Sequence, residues 1–207
     1  PLTVWIGFSV VPSAENSATV SSIRGKILDS TTRDAVDAWG GMRSVVNKGD
    51  TVFIKPKFVS IPWAQHHKCF HIGDCTKPEI IIAVVDECLK AGAAEVVIGE
   101  GSQMPTFEWQ HAITLDGNTN LVKEAARLSS KYEGKVTLAC LEKDSPGWID
   151  VPSKTALGKI AVSSLVAKAD KVISLPVAKT HSWAQLTLAL KNFIGVTPLS
   201  RYAQLID

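Results

Sequence analysis

The sequence predicts an α/β fold with a largely parallel central sheet, helices on both faces, and a small irregular or antiparallel insertion around residues 140–160. A buried strand-like run, Thr51–Ile54, precedes an amphipathic helix and a second such run, Glu95–Ile98. Strand, helix and strand in this order form a crossover unit with parallel strands. A third apolar run, Lys171–Leu175, follows a short helical segment and extends the pattern.

The first half of the chain is divided by clear start and stop signals. Thr3–Phe8 is predicted as a strand, and Ser30 or Thr31 as the cap of a helix that reaches about Val46. Thr76–Glu79 has the form of a capping box with proline in the first turn, and it should open a helix that stops at Gly92. Between these elements lies a long loop, a type that is often functional.

The second half carries further elements and one ambiguous segment. Helices are predicted at Asn118–Ser130 and Ser163–Ala169, and a strand at Lys135–Ala139. The segment Trp183–Phe193 fits both a strand and a helix, because its leucines alternate while other residues recur at helical spacing.

Length, composition and net charge argue against some classes of function. The 207 residues suffice for a single α/β domain spanning residues 1–207, with 45% hydrophobic residues and a net charge of +2. This charge is too low to indicate nucleic-acid binding, and no apolar run approaches the roughly 18 residues of a membrane span. A cytoplasmic location is favoured, with a removed export signal left open because the chain starts at Pro1.

The four cysteines do not resemble a secreted disulfide scaffold. Cys88 lies in a helical apolar pattern and Cys140 follows a strand-like run, so both are expected to be buried.

Charged and polar residues follow the predicted strands, where parallel α/β sheets bind ligands. Lysines at these positions suit phosphate or carboxylate groups, and histidine titrates near neutral pH. We therefore expect His181 to be a general acid or base and Glu100 to be its carboxylate counterpart. The residues alone leave three roles open for Glu100: a base, a metal ligand or only a charge partner. The expected ligand-binding residues are Lys55, Lys57, Lys179, Thr180, Lys191, Asn192 and Ser102. The alternative is that these groups only keep the strand ends hydrated.

The long loop also concentrates potential metal ligands: His66, His67, Cys69, His71 and Cys75, with Asp74 among them. Their spacing matches neither a paired Cys/His zinc site nor a ferredoxin run. A divalent metal site therefore stands beside the simpler interpretation of a polar loop.

Three functions remain open from the residues alone. The favoured one is binding, with turnover, of a small anionic metabolite at the strand ends. The second is a redox accessory protein that holds a metal in the His/Cys loop. The third is a non-catalytic interaction domain, if Trp63, Trp109 and Trp183 form an exposed patch. The cofactor and the oligomeric state are left open.

Several segments, taken in order, resemble the DUF362 family, a domain of unknown function, over nearly the whole chain. The most specific are the Lys-Thr-His stretch at 179–181 and the Leu-Lys-Asn-Phe-Ile-Gly stretch at 190–195. The others are Gly49–Val59, Thr76–Glu79, Ala91–Ala93, Val97–Gly101 and Leu175–Ala178.

The family has no settled activity, so the resemblance supplies a name more than a mechanism. Some family members carry a ferredoxin-like iron–sulfur module, but no cysteine run here supports a cluster. Lys57 stands where the family usually has asparagine, and Lys77 where it usually has aspartate; both add positive charge near the expected site. Family members usually continue past the equivalent of Asp207, so we expect the C-terminal part of the domain to be absent from this chain.

Overall fold

The structure is a computed structural model that describes residues 2–6, 20–58, 68–101, 108–182 and 184–202. The strands are β1 (Leu2–Ile6), β2 (Ser21–Gly25), β3 (Thr51–Pro56), β4 (Glu95–Glu100), β5 (Lys135–Cys140), β6 (Trp148–Pro152), β7 (Lys159–Ser163), β8 (Lys171–Leu175), β9 (Lys179–His181) and β10 (Gln185–Thr187). The α-helices are α1 (Leu28–Ala38), α2 (Lys68–His71), α3 (Pro78–Ala91), α4 (Leu121–Lys131), α5 (Leu141–Asp144), α6 (Ser164–Ala167), α7 (Ala189–Asn192) and α8 (Leu199–Tyr202). Single 3₁₀ turns cover Met42–Ser44, Trp109–His111 and Phe193–Val196.

A sheet of four parallel strands in the order β5-β4-β3-β8 forms the centre of the fold and confirms the predicted class. The register places Phe53 beside Val97 of β4 and Val172 of β8. The chain moves from β3 through α3 to β4 and through α4 to β5, whereas β8 joins the opposite side of β3. The strand order therefore reverses between β3 and β8.

Helices cover both faces of the sheet, and they differ in length from one face to the other. Val52 and Ile54 pack with the long helices α1, α3 and α4 in the larger core. Phe53, which points to the opposite face, packs with Leu141 of α5 and Val196 in a smaller core. Alternation along β3 thus supplies both cores from one strand.

Small antiparallel pairs complete the fold. β6 and β7 form the predicted insertion, β1 pairs with β2, and β9 pairs with β10. The ambiguous segment 183–193 contains both predicted structures, because the strand β10 is followed directly by α7. No helix among the described residues is long and apolar enough to cross a membrane.

The predicted start of α1 was wrong. The helix begins at Leu28, and the Thr31 hydroxyl lies inside it, where it donates to the Ile27 carbonyl at 2.6 Å. The helix also ends at Ala38, eight residues before the predicted Val46, just ahead of Gly40 and Gly41. Consecutive glycines disfavour continuation because of their backbone entropy.

The predicted capping box of α3 was also wrong. Pro78 does open the helix, but Lys77 occupies the N-cap position and no side chain caps it. The Thr76 hydroxyl instead donates to the Leu175 carbonyl at 2.6 Å. Glu79 accepts from the Leu115 backbone N–H at 2.6 Å rather than from the helix start. The predicted end was correct, since Gly92 takes the left-handed conformation at φ 107°.

Candidate functional site

The carboxyl ends of β3, β4 and β8 lie at one edge of the sheet, next to the point where the strand order reverses. Such an edge is where open α/β sheets bind ligands. Thr76 joins two of these ends, because its hydroxyl donates to Leu175 of β8 and accepts from the Lys57 N–H at 2.8 Å. The Thr76 N–H in turn donates to the Lys57 carbonyl at 2.8 Å. The backbone after β3 is therefore held in place against β8.

Lys55 and Glu100 form a buried ion pair at this edge, although each follows an apolar run. Lys55 is 1% exposed, and its Nζ donates to Glu100 Oε1 and to the Pro56 carbonyl, the latter at 2.7 Å. The carboxylate also accepts from the N–H groups of Phe58 at 2.9 Å and Gly101 at 3.0 Å. Burial lowers the pKa of Lys55, and the adjacent carboxylate of Glu100 opposes that shift.

The donors around Glu100 bear on its role. Three donors occupy the two oxygens of the buried carboxylate. This geometry favours the charge-partner interpretation over that of a general base.

Glycine is required above the ion pair. A Cβ on Gly195 would lie 2.4 Å from Glu100 Oε1 and 2.9 Å from Lys55 Nζ, closer than side chains tolerate. On Gly101 it would lie 3.0 Å from the Gly195 carbonyl. The segment 193–196 can therefore close over the pair only because residue 195 has no side chain.

Asn192 holds the helix α7 against the strand ends. Its side-chain amide donates to the Lys55 carbonyl at 2.8 Å and to Ser174 Oγ of β8 at 3.0 Å. The Lys55 carbonyl only accepts, which assigns the amide nitrogen to this side. Asn192 is buried, and its Oδ1 has no hydrogen-bond partner among the described residues. Asn192 is thus first an anchor of the site.

These elements enclose a cleft of about 120 Å³. It is lined by Lys55, Lys57, Phe58, Glu100, Gly101, Lys179, His181, Lys191, Asn192, Ile194 and Gly195. Sites that enclose drug-sized ligands span roughly 300–1,000 Å³. The cleft therefore fits a small acid, or the anionic group of a larger molecule.

The cleft carries more positive than negative charge. Lys55 is paired with Glu100, and Lys179 with Asp74. Lys57 and Lys191 form no ion pair among the described residues, and Lys57 Nζ donates to the Phe58 carbonyl at 3.1 Å. Burial and then the charge of Lys179 lower the pKa of Lys57, although Glu100 acts in the opposite direction. Burial, then Lys57 and Lys179, lower the pKa of Lys191. Repulsion between lysines is the arrangement that a bound anion would relieve.

His181 faces the same cleft from β9. Its Nδ1 accepts from the Ala184 backbone N–H at 3.2 Å. Partial burial, then the charges of Lys191, Lys179 and Lys57, lower the pKa of the ring, so it is neutral at pH 7. A neutral ring that accepts at Nδ1 carries its hydrogen on Nε2. In this tautomer Nδ1 accepts from the backbone and Nε2 is a hydrogen-bond donor, and the acid or base role of His181 stays a prediction.

Some predicted site residues lie elsewhere or outside the described residues. Thr180 is exposed and does not line the cleft. Ser102, His66 and His67 lie outside the described residues, as does the side chain of Cys69 in α2.

The structure gives the metal and interaction hypotheses little to build on in the part of the chain that it describes. His71 is exposed and Cys75 is buried, and no group of three potential ligands within the described ranges could hold a metal ion. Cys88 and Cys140 are buried, as predicted. Trp109, expected in an exposed patch, is 8% exposed and packs against Phe58. Trp63 and Trp183 lie outside the described residues.

Sequence reasoning missed Thr76, Asp74 and the close approach of Gly195. Thr76 matched a helix cap, and Asp74 lay among potential metal ligands. Nothing local distinguishes those roles from contacts with residues about a hundred positions away. For Gly195 the available signal was its place after Lys191 and Asn192 in a conspicuous polar and glycine motif.

Comparison with known proteins identifies a family. A family model described as "Domain of unknown function (DUF362)" matches residues 52–206, which include β3 from its second residue on, β4, β8 and every residue that lines the cleft. No curated protein and no solved structure matches the chain. The match covers most of the sequence, and the chain belongs to the DUF362 family.

Proposed function

We propose that the cleft binds a small anionic metabolite through its carboxylate or phosphate group. The observation that carries this is the presence of two lysines, Lys57 and Lys191, in one cleft without a counter-ion among the described residues. A bound anion would supply the missing charge and oppose both the burial and the repulsion that lower their pKa values.

The surrounding groups fit the same ligand. Lys179 adds a cation that Asp74 orients, and His181 offers a neutral N–H at Nε2. Flexible ammonium groups suit a compact anionic group approached from several sides. Lys55 and Glu100 form the floor of the cleft, where they balance one another and leave the net positive charge to the other lysines.

Calorimetric titration of the chain with inorganic phosphate and with lactate at low ionic strength tests the proposal. Lys191→Met should weaken the affinity for the anion about 10- to 100-fold, because a hydrogen bond to a charged group contributes roughly 1.5–3 kcal/mol. Lys154→Met removes the same charge from the exposed β6–β7 connection and serves as the matched control, which should leave affinity nearly unchanged. Equal losses in both variants, or no binding of either anion at millimolar concentration, would exclude an anion site in the cleft.

A further inference from the structure

The lysine amines of the cleft differ in the groups that they contact. Lys55 contacts Glu100, and Lys179 contacts Asp74, so both ammonium groups have a carboxylate partner. Lys57 Nζ contacts the neutral carbonyl of Phe58 at 3.1 Å and forms no ion pair among the described residues. Of these three lysines, Lys57 is therefore the one without an ion pair among the described residues.

The backbone of Lys57 is fixed, which gives its amine a defined place. Its N–H donates to Thr76 Oγ1, and its carbonyl accepts from the Thr76 N–H, both at 2.8 Å. Thr76 is buried and bonded to Leu175. The side chain of Lys57 is half-buried and lines the cleft beside Lys179 and Lys191. A reactive group must be positioned in this way before it can meet a bound carbonyl.

Burial is the main cause that favours the neutral amine of Lys57. It lowers the pKa of Lys57 together with the cation of Lys179, against the opposing effect of Glu100, Cys75 and Asp74. An amine in a desolvated site beside another cation is activated as a nucleophile, because it is the unprotonated form that attacks carbonyl carbon. Lys191 is surrounded by less protein than Lys57, and Lys55 is covered by Gly195, so neither combines access with desolvation as Lys57 does.

We propose, building on the anion-binding function above, that Lys57 forms a Schiff base with the carbonyl carbon of a small 2-oxo acid whose carboxylate is held by Lys191 and Lys179. The neutral amine adds to the carbonyl, and a C=N bond to the lysine replaces the C=O bond. The carbonyl oxygen leaves as water with the two hydrogens of the amine, so no oxidant or reductant is needed. His181, with its hydrogen on Nε2, donates to the carbonyl oxygen and polarises it.

The size of the cleft agrees with this class of ligand. About 120 Å³ is far below the space of a drug-sized ligand and suits an acid of a few carbon atoms. A 2-oxo acid also places its carbonyl next to its carboxylate, so the two groups can meet lysines on neighbouring sides of one small cleft.

Reductive trapping tests the inference on the whole chain. Pyruvate and borohydride should add to one lysine the mass of the oxo acid less one oxygen atom, and peptide mapping should place it at Lys57. Lys57→Arg, which keeps the charge but cannot form an imine, should abolish the adduct. Lys154→Arg, the matched control at an exposed lysine outside the cleft, should still be trapped at Lys57. An adduct on another lysine, or adducts spread over exposed lysines such as Lys154, would overturn the assignment. Peptide mapping of the unmodified chain is enough to detect either outcome, without any variant.

Lactate separates the failure of this inference from the failure of anion binding. It has the same carboxylate as pyruvate but a hydroxyl in place of the carbonyl, so it should bind, compete with pyruvate and lower the trapped fraction. Binding of lactate without any pyruvate adduct would overturn the Schiff base and leave the anion site intact. Absence of both lactate binding and the adduct would overturn both.

Discussion

At the scale of single residues, the site depends on residues in environments that are unusual for their type. Lys55 is a cation almost without exposure, and Gly195 is small because a charged pair lies directly beneath it. Lysine is almost never fully buried unless it is paired. The pair and the glycine are therefore one arrangement, and a change in either is felt by the other.

Gly195→Ala should destabilise the protein by about 1–3 kcal/mol, the usual cost of overpacking. The added Cβ would lie 2.4 Å from Glu100 Oε1 and 2.7 Å from Lys55 Cε, so the ion pair must shift. Urea unfolding would measure the loss. Gly147→Ala is the control, because nothing lies within 4 Å of its added Cβ. Equal stability of the two variants would mean that segment 193–196 does not close over the pair.

At the scale of elements, one carboxylate joins the three long helices. Asp86 of α3 accepts from Arg33 of α1 at 2.8 Å and from Tyr132, which follows α4, at 2.8 Å. Lys90 of α3 and Lys131 of α4 lie within 3.0 and 3.1 Å of it. The side chain of Asp86 is 5% exposed, so these partners hold its pKa well below the ordinary 3.8 despite the opposing effect of burial.

Asp86→Asn should cost about 3–5 kcal/mol at pH 7, because it leaves the cations of three helices without their common partner. The folded-state pKa of Asp86 is depressed, so its contribution is present above pH 3.8 and is lost as the pH falls below that value. Urea unfolding at pH 7 and near pH 3 should therefore show the difference between wild type and variant shrinking at acid pH.

Asp150→Asn is the matched control for this prediction. Asp150 also contacts two cations, Lys159 and Arg201, but it lies on the exposed β6–β7 hairpin, where solvent screens the charges. We expect little change in its unfolding free energy. A loss as large as that of Asp86→Asn would show that burial is not what makes the Asp86 network matter.

At the scale of the whole molecule, the cleft gathers cations from separate parts of the chain. Lys57 follows β3, Lys179 lies in β9 and Lys191 in α7. Their mutual repulsion persists in the folded protein because packing of the sheet, the hairpin and the helix holds them together. The pH dependence of binding is therefore a property of the assembled fold.

Affinity for phosphate should fall as the pH rises toward 10. The fall should begin at a lower pH than it would for lysines with the ordinary pKa of 10.5, because the pKa values of Lys57 and Lys191 are lowered. Titration of His181 should change the affinity little between pH 7 and 8, because the pKa of His181 is lowered from 6.5. Lys57→Arg should move the decline to higher pH, since arginine stays charged. Calorimetry across this range checks both, and a decline centred on the histidine would contradict the lysine assignment.

In the ligand-free protein, the pH dependence of stability due to these lysines should have the opposite sign to that of phosphate affinity: their contribution to stability should increase as the pH rises. Lys57 and Lys191 lose protons more readily in the folded state than in the unfolded one. Their contribution to stability is therefore present above pH 10.5 and is lost as the pH falls through their folded-state values.

Local patterns were enough to predict the crossover from β3 to β4, the strand β8 and the stop of α3 at Gly92, because hydrophobic periodicity and glycine conformation act within a few residues. They also singled out Lys55, Lys57, Lys179 and His181, which the structure brings to one cleft, since parallel strands end at one edge. The contacts of Thr76 with Leu175, Lys179 with Asp74, and Gly195 with the Lys55–Glu100 pair came only from the tertiary structure. Those pairs lie far apart in the chain, and whether a side chain caps a helix, binds an ion or joins two strands depends on which distant group packing brings beside it.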